Sequence, residues 1–598
     1  MSQTIRFILG FHYHIPLSAG DEAFEDAYAG RLKPFISALY KYPKIQAALH
    51  YSGVLLHWLE RAHPEFFMLI GDLVSRKQVE LLGGGFYEPM LPLLPLSDRI
   101  GQIELLTTYL RKQFGKRPQG CMLPLMAWEP QLVGPLNVCG MKYTFLDEGQ
   151  FRRGGLSGEV LTPSITEDQG KIVAVFPVLR RLGAAFGERR ASEVLASLLE
   201  SEKERLLCVF PERFFTDRPD YGFHQFFEDL SAFDSRIEFT QPSKAFKNSK
   251  FLKKTYFPCS VQDDGFPETA LPRRFLIDCP EANGIYAKMM FTHVLINQFR
   301  GDKSRKRTAR EELWKAQGCD SFCSAPEGGV FRHSVRKAAY KALLEAEKIT
   351  REPGGFTPSL LYFDFDLDGE GEYLFQGEAI NCYIKPEGGS IFEFDYLPRS
   401  WNYLDTFNPE ARRTAFSDRL VSPDEEIHAT VPQSAQTRFC GSEKFELVRL
   451  DKEHGTVYLR LPVKPDIPYG TIEIEKSYRL KKDTLTVSYG LRNRGDSPES
   501  FQFVSSVDLS FPGEGALFID LLEHTAETLT LQDIKNETRI VFTSDRTFDS
   551  RIESIRSPCP NKGVLKDCYQ STCIMLIQPV SLNPGEHFQT EFRLSIQR

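Results

Sequence analysis

No stretch of the 598 residues approaches the roughly 18 consecutive apolar positions that a membrane-crossing helix needs. A leader pattern is also missing. The N-terminus, MSQTIRFILGFHYH, carries one Arg and a short apolar run before polar residues, which reads as a first strand and not as a signal peptide. Recurring C-x-x-C pairs at zinc spacing are absent. The 12 cysteines scatter from Cys121 to Cys573 in a chain too large to depend on a disulfide framework, so reduced thiols in a cytoplasmic protein are expected. Surplus positive charge is lacking too. With 73 Lys+Arg against 80 Asp+Glu the net charge is −7, which gives no electrostatic footprint for nucleic acid and little attraction to anionic membranes. No internal repeat or low-complexity segment stands out.

What remains is the composition of a soluble globular protein, 41% hydrophobic and 26% charged. Its length calls for two or three domains. The 47 Phe and 22 Tyr supply a core and could also supply stacking faces.

Residues 1–262 alternate strand and helix signals. Short apolar runs at Ile5–Phe11, Ala47–Tyr51, Val79–Gly83, Cys121–Leu123, Tyr143–Leu146, Ile172–Phe176 and Leu206–Phe210 suit buried parallel strands. Amphipathic stretches such as Asp98–Phe114 and Ala191–Leu199 lie between several of them. About seven such units predict a closed α/β barrel, a seven-stranded (β/α) barrel, with its site at the strands' C-terminal ends. His12, Glu88, Trp128, Asp147 and Glu212 fall there.

Residues 263–352 turn helical, clearest at Ile285–Phe299 and Val335–Ile349, and this segment is expected to pack on the barrel. The basic run Arg300–Arg310 between them reads as a solvated helix face. Pro353-Gly354-Gly355 breaks the chain. Residues 353–598 then carry short alternating strands with Gly, Pro and Asn turns, from Ala379–Ile384 to His587–Ile596, which predict a C-terminal antiparallel β-sandwich.

Four motifs carry chemistry. Gln119–Val133 reads QGCMLPLMAWEPQLV. GFHYHIPL contains His12 and His14. KQVELLGGGFYEPMLPLLP, residues 77–95, contains Glu80 and Glu88. Ala316–Ser324 reads AQGCDSFCS, with Asp320. Together they resemble glycoside hydrolase family 57, the 4-α-glucanotransferases and α-amylases.

The first motif resembles that family's G-x-W-L-x-E-x-x-W-x-P, in which the first Glu is the nucleophile. Gly120, Leu123, Trp128 and Pro130 match, while Leu125 occupies the nucleophile position and Met122 that of the first Trp. The second is similar to H-x-H-Q-P, with Ile15 in place of Gln, and the resemblance makes His12 and His14 sugar-facing. Plain structural histidines and a weak H-x-H metal motif are the rival readings. The third is similar to G-Q-x-E followed by G-F-Y-E-P. A Glu beside a Phe-Tyr pair suits hydroxyl recognition, the rival being a buried Glu that holds a loop. The last resembles A-Q-C-N-D-A-Y-W-H: Cys319 stands where the family has Asn, Asp320 is kept and the closing Trp-His pair is lost.

The family's acid/base signature D-D-G-E-K-F-G has its counterpart in RLLCVFPERFFTD, residues 205–217. Gapless alignment puts Arg213 at the acid/base position, and a one-residue shift would put Glu212 there.

Retaining glycoside chemistry needs two carboxyl groups about 5–5.5 Å apart. With Leu125 and Arg213 in their places, no intact catalytic pair is expected, and the substitutes to consider are Glu129 and Glu212. The resemblance implies an α-glucan or other oligosaccharide ligand held by His12, His14, Glu80, Glu88, Trp128 and Asp320. Three functional readings follow: a catalytically inactive α-glucan-binding protein, an active 4-α-glucanotransferase or α-amylase with relocated carboxylates, and a protein-interaction scaffold. A homo-oligomer or a protein partner is compatible with each. No cofactor is required. Asp364, Asp366 and Asp368 form a D-x-D-x-D-G pattern that reads either as a structural calcium loop or as a solvated acidic turn, with Phe375 where an EF-hand would need Glu.

Overall fold

A computed structural model describes residues 5–156, 162–199, 206–211, 221–233, 235–249, 252–261, 271–324, 329–351, 356–407, 414–429, 437–513, 515, 517–519, 527–561 and 564–597. The chain folds as two compact units, Met1–Asp278 with Gln317–Phe322, and Cys279–Ala316 with Cys323–Arg598. The boundaries expected after residues 262 and 352, the Pro353-Gly354-Gly355 breaker included, lie outside the described residues.

In the first unit all seven expected strands form. They are β1 (Ile5–Tyr13), β2 (Ala47–Tyr51), β3 (Val79–Leu81), β4 (Gly120–Cys121) and β5 (Tyr143–Asp147). Ser164–Asp168 (β6) was not expected. Lys171–Val178 (β7) and Leu206–Val209 (β8) complete the set. One parallel sheet runs β3-β2-β1-β8, and a second contains β7-β5-β4. Two short seams close them into a seven-stranded barrel. At one, Gly83 N–H donates to Gly120 O at 2.8 Å and Met122 N–H to Gly83 O at 2.8 Å. At the other, Leu179 N–H donates to Cys208 O at 2.9 Å.

The strands are apolar because both faces are covered. Phe7, Leu9 and Phe11 of β1 pack with Leu49 of β2 and with helix residues such as Leu55, Phe66 and Phe227, all buried. The helix Leu96–Phe114 ends at Gly115, whose φ of 70° is the left-handed conformation that glycine adopts without a Cβ penalty. The added strand β6 pairs antiparallel to β7, outside the barrel order. Its sequence, SITED, has too little apolar character to announce a strand.

The second unit holds the helices Pro280–Gln298, Lys303–Lys315 and His333–Thr350 and two antiparallel sheets. Strands Thr456–Leu461, Thr484–Asn493 and His587–Gln597 lie in one sheet, and Ile380–Lys385, Ser390–Tyr396 and Glu499–Leu509 in the other. Leu459 and Val487 from the first share one core with Phe394 and Phe503 from the second, which is a β-sandwich. The basic run falls on Lys303–Lys315, where only Ala309 and Leu313 are buried and Arg307 pairs with Glu311 four residues on. That is the solvated face the sequence predicts.

Candidate functional site

β1 and β2 run in parallel register, with His12 opposite His50 at their C-terminal ends. The loop after β3 brings Glu88 between the two rings. His12 Nε2 donates to Glu88 Oε1 at 2.8 Å and His50 Nε2 donates to Oε2 at 3.0 Å. Glu88 and His50 are buried and His12 is nearly so. Burial alone would push the Glu88 carboxyl up. The charges of His12 and His50, and then their hydrogen bonds, outweigh it and hold the group well below the usual carboxylate range. Glu88 also has a φ of 52°, left-handed backbone that a non-glycine residue adopts at a cost and that clusters at functional sites.

The segment Gln317–Phe322 returns to this loop. Cys319 N–H donates to Glu88 O at 2.8 Å and Met90 N–H to Gln317 O at 3.3 Å. Gln317 is fixed from below, donating to Asp98 Oδ2 at 2.8 Å and accepting from Gln102 Nε2 at 3.1 Å. Asp320 is thereby set beside His14, whose Nε2 donates to Asp320 Oδ2 at 2.9 Å. Four of the six expected sugar-contacting residues, His12, His14, Glu88 and Asp320, therefore gather in two adjoining clusters at the end of β1.

The other two stand elsewhere. Glu80 accepts from the Tyr143 hydroxyl, from Ser243 N–H at 3.1 Å and from Ser243 Oγ at 2.8 Å. Burial pushes its carboxyl up despite these donors. Trp128 is completely buried, with its indole N–H donating to Phe257 O at 3.3 Å, so it presents no stacking face.

Leu125 lies in a short turn, Pro124–Met126, at φ 51°, ψ 19°, and Met126 follows at φ 46°. Consecutive left-handed residues with bulky side chains are unusual. The backbone at position 125 is thus set by its surroundings and not by leucine's own preference. Glu129, four residues on, is committed: Arg273 Nε donates to its Oε1 at 3.1 Å, and Gln131 Nε2 donates to its Oε2. Asp147 closes a capping box on helix Glu148–Arg153. Glu212 and Arg213 lie outside the described residues.

His50 was missed from the sequence, although a lone histidine ending the apolar strand AALHY at the level of His12 was a usable signal. Arg273, which occupies Glu129, had none.

In the second unit the acidic loop gathers differently from the sequence pattern. Ligand oxygens of Asp364, Asp366 and Glu372 lie within 4.8 Å of one another. Asp368 instead accepts from Glu370 N–H at 2.7 Å, while Asp364 accepts from the N–H groups of Asp368 and Gly369. Burial first, and then the charges of Asp366, Asp368 and Asp364, push Glu372 up to about 8, against the lowering effect of the Phe365 N–H.

For an acid raised in the folded state, the unfolded chain ionises first. Stability is therefore greatest below the unfolded value of about 4.5 and falls as pH rises toward 8. The gap corresponds to about 5 kcal/mol. Urea titrations of the wild type should show this decline between about pH 4.5 and pH 8, and Glu372→Gln should flatten it; an unchanged slope in the variant would refute the assignment.

The imidazoles and carboxylates thus converge at one end of a (β/α)7 barrel that is joined in sequence to a helical segment and a β-sandwich. The comparisons place it further. Residues 8–251 match glycosyl hydrolase family 57, residues 271–350 the α-amylase/4-α-glucanotransferase middle domain, and residues 364–416 the α-amylase/4-α-glucanotransferase C-terminal domain. The α-amylase of Pyrococcus horikoshii is 28% identical over 605 residues, covering 90% of this chain and 91% of the relative. The 4-α-glucanotransferase of Thermococcus litoralis is 27% identical over 487 residues, 72% of each chain. The crystal structure of 4-α-glucanotransferase from Thermococcus litoralis superposes with a TM-score of 0.84 at 22% identity over the whole of both chains, which shows the fold. The chain belongs to glycosyl hydrolase family 57.

Proposed function

We propose that this chain binds an α-glucan, or a closely similar oligosaccharide, at the barrel's C-terminal end and does not cleave it by the family's retaining reaction. The observation that carries the reading is the pairing of a kept binding cluster with an emptied chemical position. His12 keeps 17% of its side-chain surface, open to a sugar hydroxyl, and is held by Glu88, which the buried His50 braces from the other side, whereas position 125 offers only an aliphatic side chain. A leucine can form no glycosyl ester. Glu129, the nearest substitute, is occupied by Arg273 and Gln131, and an ion-paired carboxylate is a poor candidate for relocation. A second carboxyl group at about 5–5.5 Å is what the active alternative would require.

Titration calorimetry with maltotriose through maltoheptaose tests the binding half. Saturable binding that is lost in Glu88→Gln is expected. No heat at millimolar oligosaccharide would overturn the reading. Release of new maltooligosaccharides from maltoheptaose by the wild type would overturn the inactive half and direct attention to Glu129 and Glu212.

A further inference from the structure

The cluster beside the glucan-holding histidines has a different chemical character. His14 Nε2 and Asp320 Oδ2 are 2.9 Å apart, and the thiol of Cys319 joins them, with one ligand atom from each residue within 4.8 Å of the others. We propose that His14, Cys319 and Asp320 form a three-ligand site for a soft divalent cation, zinc foremost, with the fourth position left to water or a ligand hydroxyl.

The donor set argues for the metal. An imidazole nitrogen, a thiolate sulfur and a carboxylate oxygen are the three ligand types zinc takes, at about 2.0–2.1, 2.3 and 2.0–2.2 Å. Ligand atoms at those radii in a tetrahedron stand roughly 3–4 Å from one another, and the three donor atoms here already lie within 4.8 Å of one another. Calcium and magnesium, which prefer all-oxygen shells, do not suit a thiolate and an imidazole. Three protein ligands with one open position is the arrangement of catalytic and not of structural zinc.

Anchoring is also in place. Cys319 and Asp320 begin the short helical turn Cys319–Phe322, whose first N–H is tied to the Glu88 carbonyl, and His14 directly follows β1. Cys319 and Asp320 are adjacent in the chain, so the turn presents both at once. Cys319 is buried, while His14 and Asp320 keep 13% and 17% of their side-chain surface, enough for an ion to enter. The sequence gives an independent reason. Cys319 stands where the family signature carries Asn, and only the thiolate supplies both negative charge and a soft donor. The proposal does not depend on glucan binding, because the two clusters share only the Glu88 backbone.

The test uses the full chain, stripped with a chelator, then dialysed against zinc or cobalt(II). Wild type should retain one equivalent of zinc. The cobalt form should show a thiolate-to-metal charge-transfer band in the near ultraviolet, and both should be lost in Cys319→Ser and in His14→Gln. Cys323→Ser and His50→Gln, outside the cluster, should keep both. Zinc should also slow modification of Cys319 by a thiol reagent at least tenfold in the unmutated chain, a readout that does not depend on any variant folding. Failure to retain zinc, a cobalt spectrum without the thiolate band, or metal kept by Cys319→Ser but lost by His50→Gln would each overturn the assignment.

Discussion

Leu125→Glu combined with Arg213→Asp should convert a protein with no detectable disproportionation of maltoheptaose into one that produces both longer and shorter maltooligosaccharides. Each single variant should stay near the wild-type baseline. The expected gain in the double variant is at least ~10²-fold, because proton transfer by a positioned group contributes about 10²–10⁴ and the covalent route requires both carboxyl groups together. The kept frame makes the experiment reasonable. The position 125 backbone is already in a left-handed turn set by its neighbours, and the Glu88 cluster is already closed. Product analysis by chromatography after long incubation decides it. A silent double variant that still binds maltoheptaose would mean that the loss extends beyond those two positions. Turnover by the unmutated chain would refute the inactive reading altogether.

Lys288→Met should destabilise the second unit by about 3–5 kcal/mol, the usual consequence of removing one partner from a buried ionic group. Lys288 is fully buried on helix Pro280–Gln298. Its Nζ lies 2.6 Å from Asp395 Oδ2, 3.3 Å from Glu347 Oε2 and 3.6 Å from Glu393 Oε1. Glu347 is shared with Arg351 and Asn381, and Asn381 also donates to Asp395 at 2.9 Å. Desolvation would lower the Lys288 ammonium, yet the surrounding carboxylates, Asp395 first, hold it well above its usual value. Burial would raise Glu347, but Lys288 and then Arg351 bring it down to about 2.

Without the lysine, the carboxylates would take up protons. The deficit of the variant should therefore shrink as pH is lowered from 7 toward 4, and Lys288→Met with Asp395→Asn should recover part of it. Urea denaturation at both pH values measures this. A pH-independent deficit under 1 kcal/mol would show that the cluster is incidental to stability.

The barrel could be read from the sequence because its strands are buried on both faces and so appear as uninterrupted apolar runs. Each of the seven expected runs overlaps an observed strand. The sandwich was legible for the complementary reason where its strands alternate between core and solvent, as in Thr456–Leu461. What escaped were elements whose partners make them strands. SITED becomes β6 through pairing with β7, and Ile237–Phe239 adds to the start of β1.

The site was legible in part. His14 and Asp320 meet across 306 residues, a contact that no local pattern predicts and that only the family signatures placed together. His50 carries no signature and was overlooked, although parallel register puts it level with His12. Glu80 sits in as strong a motif as Glu88, yet Tyr143 and Ser243 claim it. In the acidic loop the i, i+2 spacing nominated Asp364, Asp366 and Asp368, while the hairpin also brings Glu372 beside Asp364 and Asp366.

The two seams of the barrel carry a mechanical consequence. His12, His50 and Glu88 belong to the sheet that ends at β3, and the turn of Leu125 follows β4 in the other, so the gap between the histidine–carboxylate cluster and position 125 is a gap between two plates. At the Gly83–Gly120 seam the plates are joined through glycine backbone. Across it, a Cβ at Gly84 would stand 3.1 Å from Met122 O, and one at Gly120 would stand 2.9 Å from Leu82 Cδ2. Glycine there acts as a spacer of minimum thickness. Any larger residue would wedge the plates apart and widen the span a carboxylate at position 125 has to cross. Reach at this site is therefore set as much by the glycines of the joint as by the length of the side chains beside it.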